Sequence, residues 1–287
     1  MPDLTAIMSK IQELPTLPDV SVQLLKLIND PNSSVQPIAK IIERDPSLST
    51  KVLKLINSAF YSLSKRVTNI QQAVAYLGLH HLSQVVITVS IFNKLDFSNG
   101  VFSIENFWIH SMFVADYSRI LATISKKAAP DDAYTAGLLH DIGKMFMIKF
   151  LTPSMEECIT DSFNTKRFLY DVEYEKIKVD HNMAGEWISK NWKLPEYVCE
   201  TCHYHNMPYE KRNHVNLNTP AIVNYVSLAN KLTNLKFKGY SGSFGEYAIE
   251  KAELDVTGVK ITDLAQYETG MESKLQSAKE MLHIIKE

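Results

Sequence analysis

Apolar residues recur three and four positions apart along most of the chain, which is the pattern of helices with one buried face. In DVSVQLLKLIND the residues Val20, Leu24, Leu27 and Ile28 fall on one side of such a helix. The stretches SSVQPIAKIIERD and PSLSTKVLKLINSA repeat this spacing, and Pro46 suits the first turn of a helix. The pattern continues in later stretches, so the sequence predicts an all-α fold. The short run Val85-Val86-Ile87 has β propensity, but its long apolar flanks favour a buried helix.

Two polar, glycine-containing breaks interrupt this pattern and predict the domain organisation. DFSNGVFS, residues 96–103, is the best candidate for a boundary, and KGYSGSFGEY, residues 238–247, is typical of a mobile loop. We therefore expect an N-terminal helical lobe over 1–97 and a second helical lobe over 101–240. Residues 241–287 would form a loop and an amphipathic C-terminal helix that packs on the core.

Composition indicates the broad class of protein but does not indicate a catalytic or binding activity. The 287 residues are 45% hydrophobic and 22% charged, with a formal net charge of -2, so no global field attracts nucleic acid or anionic lipid. We expect no signal peptide and no membrane span, because no basic N-terminus precedes an apolar run and no apolar stretch reaches bilayer length. The three cysteines fit reduced thiols, and the expected location is the cytoplasm.

Chemistry concentrates at the stretch AGLLHDIGKMF, where His140 and Asp141 are adjacent among apolar residues. His110 lies in a similar apolar stretch beside Trp108. Burial of an imidazole among apolar residues costs free energy unless the ring finds a hydrogen-bond or metal partner. Each histidine alone is explained by a hydrogen bond in the core, but several with a carboxylate suit zinc, iron, manganese or nickel. Lys144, three residues after Asp141, lies on nearly the same helical face. It would either contact a phosphate oxygen or extend to the surface.

Several stretches together resemble the HDOD family, the HD-related output domain branch of the HD phosphohydrolase superfamily. They include VTNIQQAVAYLGL, FWIHSMFVA, AGLLHDIGK, DHNMAGEWISKNWKLPE and YHNMP, and the likeness runs from about Leu14 to Pro208. The resemblance implies an all-α, HD-domain-like fold with an N-terminal helical lobe. It also implies a bacterial signalling protein, since most relatives of this branch are regarded as regulatory rather than catalytic.

The resemblance assigns roles residue by residue. His110 matches the first histidine of the superfamily, His140 and Asp141 match its paired ligands, and His181 matches a ligand of the second metal. His205 matches the first position of a two-histidine motif, and Asn206 stands where the second would be. Asn230 stands near the final aspartate and offers a carbonyl oxygen without charge. The implied metal ligands are therefore His110, His140, Asp141, His181, His205 and Asn230. In a catalytic site of this kind we expect Asp141 and Lys144 to be the catalytic residues, since the lysine would offset developing charge on a phosphoryl group.

CETCH, residues 199–203, fits a pattern for covalent haem attachment, but we expect no haem because such attachment occurs outside the cytoplasm. Cys199 and Cys202 lie three apart and so fall side by side on a helix, where burial explains them. A zinc knuckle with His203 is an alternative, although no second ligand pair is evident.

Two functions from different classes remain open. The first is a cytoplasmic regulatory protein with a partly retained metal site, which binds a signalling protein or a nucleotide second messenger. Asn206 and Asn230 favour it, since both remove a ligand of the enzymes. The second is a metal-dependent phosphohydrolase, favoured by the five remaining ligand candidates. We expect weak or no hydrolysis and no direct binding to nucleic acid or membrane.

Overall fold

A computed structural model describes residues 35–58, 102–260 and 271–286, together with parts of 20–24, 61–90 and 262–264. No strand occurs within these ranges, which confirms the all-α prediction. Among the same residues, no helix combines the length and the apolar character that a crossing of a bilayer requires. Most of the predicted helix at 19–30 and most of the predicted boundary at 96–103 lie outside the described residues.

The principal helices are numbered in chain order. They are α1 (Val35–Glu43), α2 (Pro46–Ile56), α3 (Ile70–Leu77), α4 (Ile104–Ser125), α5 (Pro130–Leu139), α6 (Ile142–Phe150), α7 (Thr152–Thr165), α8 (Leu169–Ile177), α9 (His181–Asn191), α10 (Glu196–Tyr204), α11 (Tyr209–Arg212), α12 (Pro220–Lys236), α13 (Lys251–Thr257) and α14 (Met271–Lys286).

Local sequence explains where several of these helices begin and end. Asp45 caps α2 by accepting a hydrogen bond from the backbone N–H of Leu48, and Pro46 occupies the first turn as predicted. Ser103 caps α4 in the same way. That helix ends where Lys126 adopts a left-handed backbone with φ 56°, a common way for a helix to stop.

The chain divides into two compact units, one within residues 97–269 and the other within 15–96 and 270–287. In the first unit α4 packs along α5 and α12, while α9 packs on α6 and α10. Residues Phe107–Ala115 of α4 are all buried, so this helix is covered on every side rather than on one face. It therefore forms the central element of its unit.

The second unit has its own apolar core, which α1, α2, α3 and α14 share. Ile38, Val52, Ile56 and Ile285 are each at most 1% exposed. Lys51 of α2 donates a hydrogen bond to the backbone carbonyl of Ile285 at 2.8 Å, which ties α14 to α2. The C-terminal helix predicted from the sequence is present and belongs to this unit.

Two local predictions have different outcomes. Val85 and Val86 are helical and buried, so the interpretation of their run as a buried helix is confirmed at those two positions. Residues 238–247 are irregular, but they are not a solvated loop. Ser241 is 0% and Ser243 3% exposed, and each takes part in hydrogen bonds. The many serine and glycine residues of this segment suggested a mobile loop. In the structure their small side chains instead allow its backbone to pack closely against the rest of the unit.

Candidate metal centre

The candidate centre begins with two histidines that come from neighbouring helices. His110 lies in the middle of α4, and His140 directly follows α5. Gly137 allows the close approach of these helices, because a Cβ atom there would lie 2.8 Å from the Cα atom of Ala115. The Nε2 atoms of His110 and His140 are 3.3 Å apart, so the predicted convergence of this pair is present.

Asp141 lies at the junction of α5 and α6, and its two carboxylate oxygens face different histidine pairs. Oδ2 is 3.6 Å from Nε2 of His110 and 3.2 Å from Nε2 of His140. Oδ1 is 3.5 Å from Nε2 of His181 and 3.3 Å from Nε2 of His205. Asp141 therefore lies between two sets of candidate ligands, with one carboxylate oxygen facing each set.

Hydrogen bonds on the far side of the rings orient three of the four imidazoles. Nδ1 of His140 donates to the carbonyl oxygen of Gly137 at 2.6 Å, and Nδ1 of His205 donates to that of Thr201 at 3.0 Å. Nδ1 of His181 donates to Oε2 of Glu173 at 2.6 Å. A ring that carries its one hydrogen on Nδ1 directs the lone pair of Nε2 toward Asp141. This second layer of partners is typical of histidines that ligate metals.

Burial sets the protonation of this cluster. It lowers the pKa of His110 well below its usual value and that of His205 to about 4, so both rings are neutral at pH 7. Burial by itself would raise the pKa of Asp141, but the charges of His140 and Lys144 outweigh it and hold that pKa well below its usual range. Neutral imidazoles and an ionised carboxylate are the forms in which these groups bind a metal.

Lys144 contradicts one of the two interpretations of the sequence. It does not extend to the surface, because it is only 2% exposed. Its ammonium group donates to Oδ2 of Asp141 at 2.6 Å and so neutralises the carboxylate. The neighbouring Gly143 has no room for a side chain, since a Cβ atom there would overlap the carbonyl oxygen of His181.

Asn206 and Asn230, which the resemblance places at ligand positions, contact each other. Nδ2 of Asn206 lies 3.0 Å from Nε2 of His181 and 2.8 Å from Nε2 of His205. Asn230 donates to Oδ1 of Asn206 at 3.1 Å, and its own Oδ1 accepts a hydrogen bond from Asn234 at 2.7 Å. The carbonyl oxygen expected to face a metal from Asn230 is thus engaged by Asn234.

A cavity of about 230 Å³ opens above these asparagines. Its floor includes His205, Asn206 and Asn230, and a wall is formed by Phe168 and Tyr170, whose rings stack 5.3 Å apart. His110, His140, Asp141 and His181 are not among its lining residues, which are Phe168, Tyr170, His205, Asn206, Pro208, Asn230, Lys231, Glu246, Tyr247, Ala248 and Glu250.

The side chains of Cys199, Cys202 and His203 do not join the candidate ligands, although the carbonyl oxygen of Thr201 in the same stretch accepts the hydrogen bond from His205. The thiol of Cys202 points to the carbonyl oxygen of Leu139, and that of Cys199 to the carbonyl oxygen of Leu194. Both cysteines are buried on one face of α10, as their spacing predicts. His203 is instead partly exposed and pairs with Glu186 at 2.8 Å.

Sequence reasoning missed Glu173, the carboxylate that orients His181. Its Oε2 also accepts the backbone N–H of His181 at 2.8 Å, and the residue is 0% exposed. The available indication was a glutamate next to Val172 in an otherwise apolar face of a short helix. That indication is weak, because a glutamate at such a position is usually solvated.

The donor set fits a divalent ion. Two ligands about 2.1 Å from a tetrahedral ion lie about 3.4 Å apart. The atoms of His110, His140 and Asp141 are separated by 3.2 to 3.6 Å. Two buried clusters of this kind occur among the described residues, one of His110, His140 and Asp141 and the other of Asp141, His181 and His205. Asp141 Oδ1 accepts no well-directed hydrogen bond from any described residue, so a buried acceptor is left for a cation.

Comparisons with known proteins agree with the helical fold. A solved HDOD domain protein of unknown function from Geobacter sulfurreducens is 25% identical, with a TM-score of 0.82 over 96% of each chain. A candidate phosphohydrolase from Shewanella amazonensis is 22% identical, with a TM-score of 0.75 over 96% of this chain and 98% of that one. A candidate signal transduction protein from Marinobacter aquaeolei is 19% identical, with a TM-score of 0.80 over 98% of this chain and 61% of that one. The last two likenesses show the fold alone.

The helical fold and the adjacent His140-Asp141 pair fit the family that the sequence resembles. The chain belongs to the HDOD domain family, whose model matches residues 14–208. An uncharacterised protein of Treponema pallidum is 27% identical over 208 residues, which are 71% of this chain. The chain spans 40% of the length of that relative.

Proposed function

We propose that the protein is a bacterial regulatory module of the cytoplasm that holds one divalent ion between His110, His140 and Asp141. In this proposal the ion stabilises the helical unit, and the module acts by binding a signalling protein. Membership of the HDOD family supports the regulatory class. The three buried thiols, Cys158, Cys199 and Cys202, suit a reducing compartment.

The observation that carries the proposal is that the cluster of His110, His140 and Asp141 is buried among the described residues and does not line the nearby cavity. His110 and His140 are 0% exposed and Asp141 is 1% exposed, and none of them lines the cavity. A hydrolytic metal keeps an open coordination position that faces the substrate, where it lowers the pKa of a bound water. A buried cluster without such access suits a structural ion.

Charge supports the same interpretation. Asn230 replaces a carboxylate with a neutral amide, and the ammonium group of Lys144 already neutralises Asp141. The ligand set therefore offers an ion less negative charge than an enzyme of the superfamily would. Hydrolysis depends on an ion fixed in position, so we expect weak or no turnover.

The cavity argues against a large nucleotide as the natural ligand. Its volume of about 230 Å³ is below the roughly 300–1,000 Å³ of usual ligand pockets. Its lining carries Lys231 together with Glu246 and Glu250, so it does not favour a dianion. We therefore place a protein partner ahead of a nucleotide second messenger, and we expect no hydrolysis of cyclic di-GMP.

The alternative function is a metal-dependent phosphohydrolase. One observation favours it, namely that His205 both lines the cavity and lies 3.3 Å from Asp141. An ion bound by His205, His181 and Asp141 would lie close to a molecule in the cavity. Manganese, iron, nickel and zinc all suit such ligands.

A combined metal and activity measurement separates the two functions. Protein purified without added metal is analysed for bound ions and assayed with p-nitrophenyl phosphate, bis-p-nitrophenyl phosphate and cyclic di-GMP in the presence of manganese, iron, nickel or zinc. The proposal predicts a bound ion that is lost in Asp141→Ala and no turnover above that variant. Robust turnover by the unmodified protein, lost in Asp141→Ala, would overturn the regulatory class.

A further inference from the structure

Asn206 lies where a second ion of the centre would be expected. Its amide nitrogen is within hydrogen-bond distance of Nε2 of His181, Nε2 of His205 and Oδ1 of Asn182, at 3.0, 2.8 and 2.9 Å. An amide NH₂ group is a donor only and does not ligate a metal. It therefore engages the same two lone pairs that an ion would use.

A chain of hydrogen bonds fixes which end of the Asn206 amide faces the histidines. Oδ1 of Asn206 accepts from Asn230 at 3.1 Å, and Oδ1 of Asn230 accepts from Asn234 at 2.7 Å. Oδ1 of Asn234 in turn accepts from the hydroxyl of Ser241 at 2.9 Å. Each amide oxygen accepts a hydrogen bond from the next side chain. If the oxygen and nitrogen of one amide were exchanged, its NH₂ group would face the NH₂ group of its neighbour, and that hydrogen bond would be lost.

The polarity of this chain is anchored by the backbone. Nδ2 of Asn234 also donates to the main-chain carbonyl of Asn230 at 2.9 Å, and a carbonyl oxygen can only accept. Asn230 and Asn234 are each 3% exposed and Ser241 is 0% exposed, so water does not compete for these bonds. The NH₂ group of Asn206 is thereby directed at His181 and His205.

We infer that Asn206 takes the place of a second ion and limits the centre to one ion per chain. The inference deepens the proposed function, because it rests on His110, His140 and Asp141 as the half that keeps an ion. Asp141 Oδ1, His181 Nε2 and His205 Nε2 would form a second ligand set if the amide were absent. The lack of a well-directed hydrogen bond to Asp141 Oδ1 means that this oxygen is already free to receive a cation.

The test is the number of ions per chain in the Asn206→His variant. An imidazole at this position converts the donor into a ligand, so the histidine variant should bind one ion more than the unmodified protein. Ions are counted by mass spectrometry after dialysis against manganese and, separately, zinc. Asn213→His, a change of the same kind at an exposed residue, is the matched control and should leave the count unchanged.

The outcomes separate this inference from the proposed function. Two ions in the unmodified protein, or no gain in a folded Asn206→His variant, would overturn the role of Asn206. If the count rises from zero to one and the gain disappears with His205→Ala, the exclusion of an ion by Asn206 is upheld, whereas the ion proposed between His110, His140 and Asp141 is absent and the proposed function fails. Asn206→Asp, which is nearly isosteric, provides a second variant should the histidine disturb folding, and it should also gain an ion.

Discussion

At the scale of single residues, two side chains of the centre donate hydrogen bonds to atoms that could otherwise bind a metal ion. Lys144 places an ammonium group 2.6 Å from Asp141 Oδ2, and Asn206 places an amide NH₂ against His181 and His205. Both groups satisfy acceptors that would otherwise be buried without a partner. The protein can therefore fold before an ion binds, and ion binding competes with internal partners.

Replacing Lys144 tests this competition. In Lys144→Met the carboxylate of Asp141 loses its buried cation, so the metal-free protein should lose roughly 3–5 kcal/mol of stability, as when one partner of a buried pair is removed. Manganese should then raise the melting temperature of the variant more than that of the unmodified protein. Thermal unfolding with and without the ion measures both effects. Lys149→Met, at an exposed residue, is the control, and an equal response in both variants would contradict the prediction.

Glu186 should make stability depend on pH away from the centre. The hydrogen bond from His203, helped by one from Lys190, lowers the pKa of Glu186 from an ordinary 4.5 to about 2. A lowered pKa in the folded state stabilises the protein above pH 4.5, and this contribution is lost as the pH falls toward 2. Because the side chain is partly exposed, solvent screening keeps the effect below about 1 kcal/mol.

Urea unfolding of Glu186→Gln between pH 6 and pH 2.5 measures this contribution. The variant should be less stable at pH 6, and the difference from the unmodified protein should shrink toward the acid end. Glu196→Gln, at an exposed position of α10, serves as the control. A difference that stays constant across this range would show that Glu186 does not contribute through its charge.

At the scale of elements, close contacts between helices place the ligands. Helix α4 meets α5 at Gly137, and α6 meets α9 at Gly143. These glycines were visible in the sequence as part of AGLLHDIGK, but periodicity alone could not show that their Cα atoms face another backbone. The positions of the helices could be predicted from the local spacing of apolar residues. The contacts between helices could not, because they join residues that are far apart in the chain.

Alanine substitutions at three glycines should have graded effects. Gly143→Ala should be the most destabilising, since its Cβ would overlap the backbone of His181, and Gly137→Ala should follow. Gly185→Ala should cost least, because its Cβ would lie 3.1 Å from the side chain of Cys202 and 3.4 Å from the backbone nitrogen of Gly143, which are milder contacts than those at the other two glycines. Overpacking typically costs about 1–3 kcal/mol, against a gain of about 1 kcal/mol from helix propensity. Urea unfolding gives the order, and a largest loss at Gly185 would contradict it.

The candidate ligands were predictable from the sequence to different degrees. The approach of His110 to His140 was expected from the order of motifs, and the distance of 3.3 Å confirms it. Lys144 was misplaced because a lysine is seldom fully buried, and only the position of Asp141 explains it. Glu173 was not predicted at all, since its partner His181 begins another helix.

At the scale of the whole molecule, two compact units each keep their own core. The prediction from polar breaks alone could not assign the last helix, because helix α14 contacts α2, which lies more than two hundred residues earlier. Periodicity shows that α14 has an apolar face but not which helix covers that face.

Substitution of Ile285 tests the role of α14 within its unit. Ile285 is 1% exposed, so Ile285→Ala should cost about 2–5 kcal/mol. Amide hydrogen exchange should accelerate in α2, whereas α4 and α5 in the other unit should keep their protection. Ser273→Ala, at an exposed position of the same helix, is the control. Unchanged exchange in α2 would show that α14 does not stabilise that helix.

The most direct test of the metal centre is anomalous diffraction from crystals of protein loaded with manganese or zinc. The account predicts one anomalous peak per chain, about 2.0–2.2 Å from Nε2 of His110, Nε2 of His140 and an oxygen of Asp141. The same peak should be absent from crystals of Asp141→Ala. A peak bound only by His181 and His205, or no peak near His110 and His140 in fully loaded protein, would contradict the account.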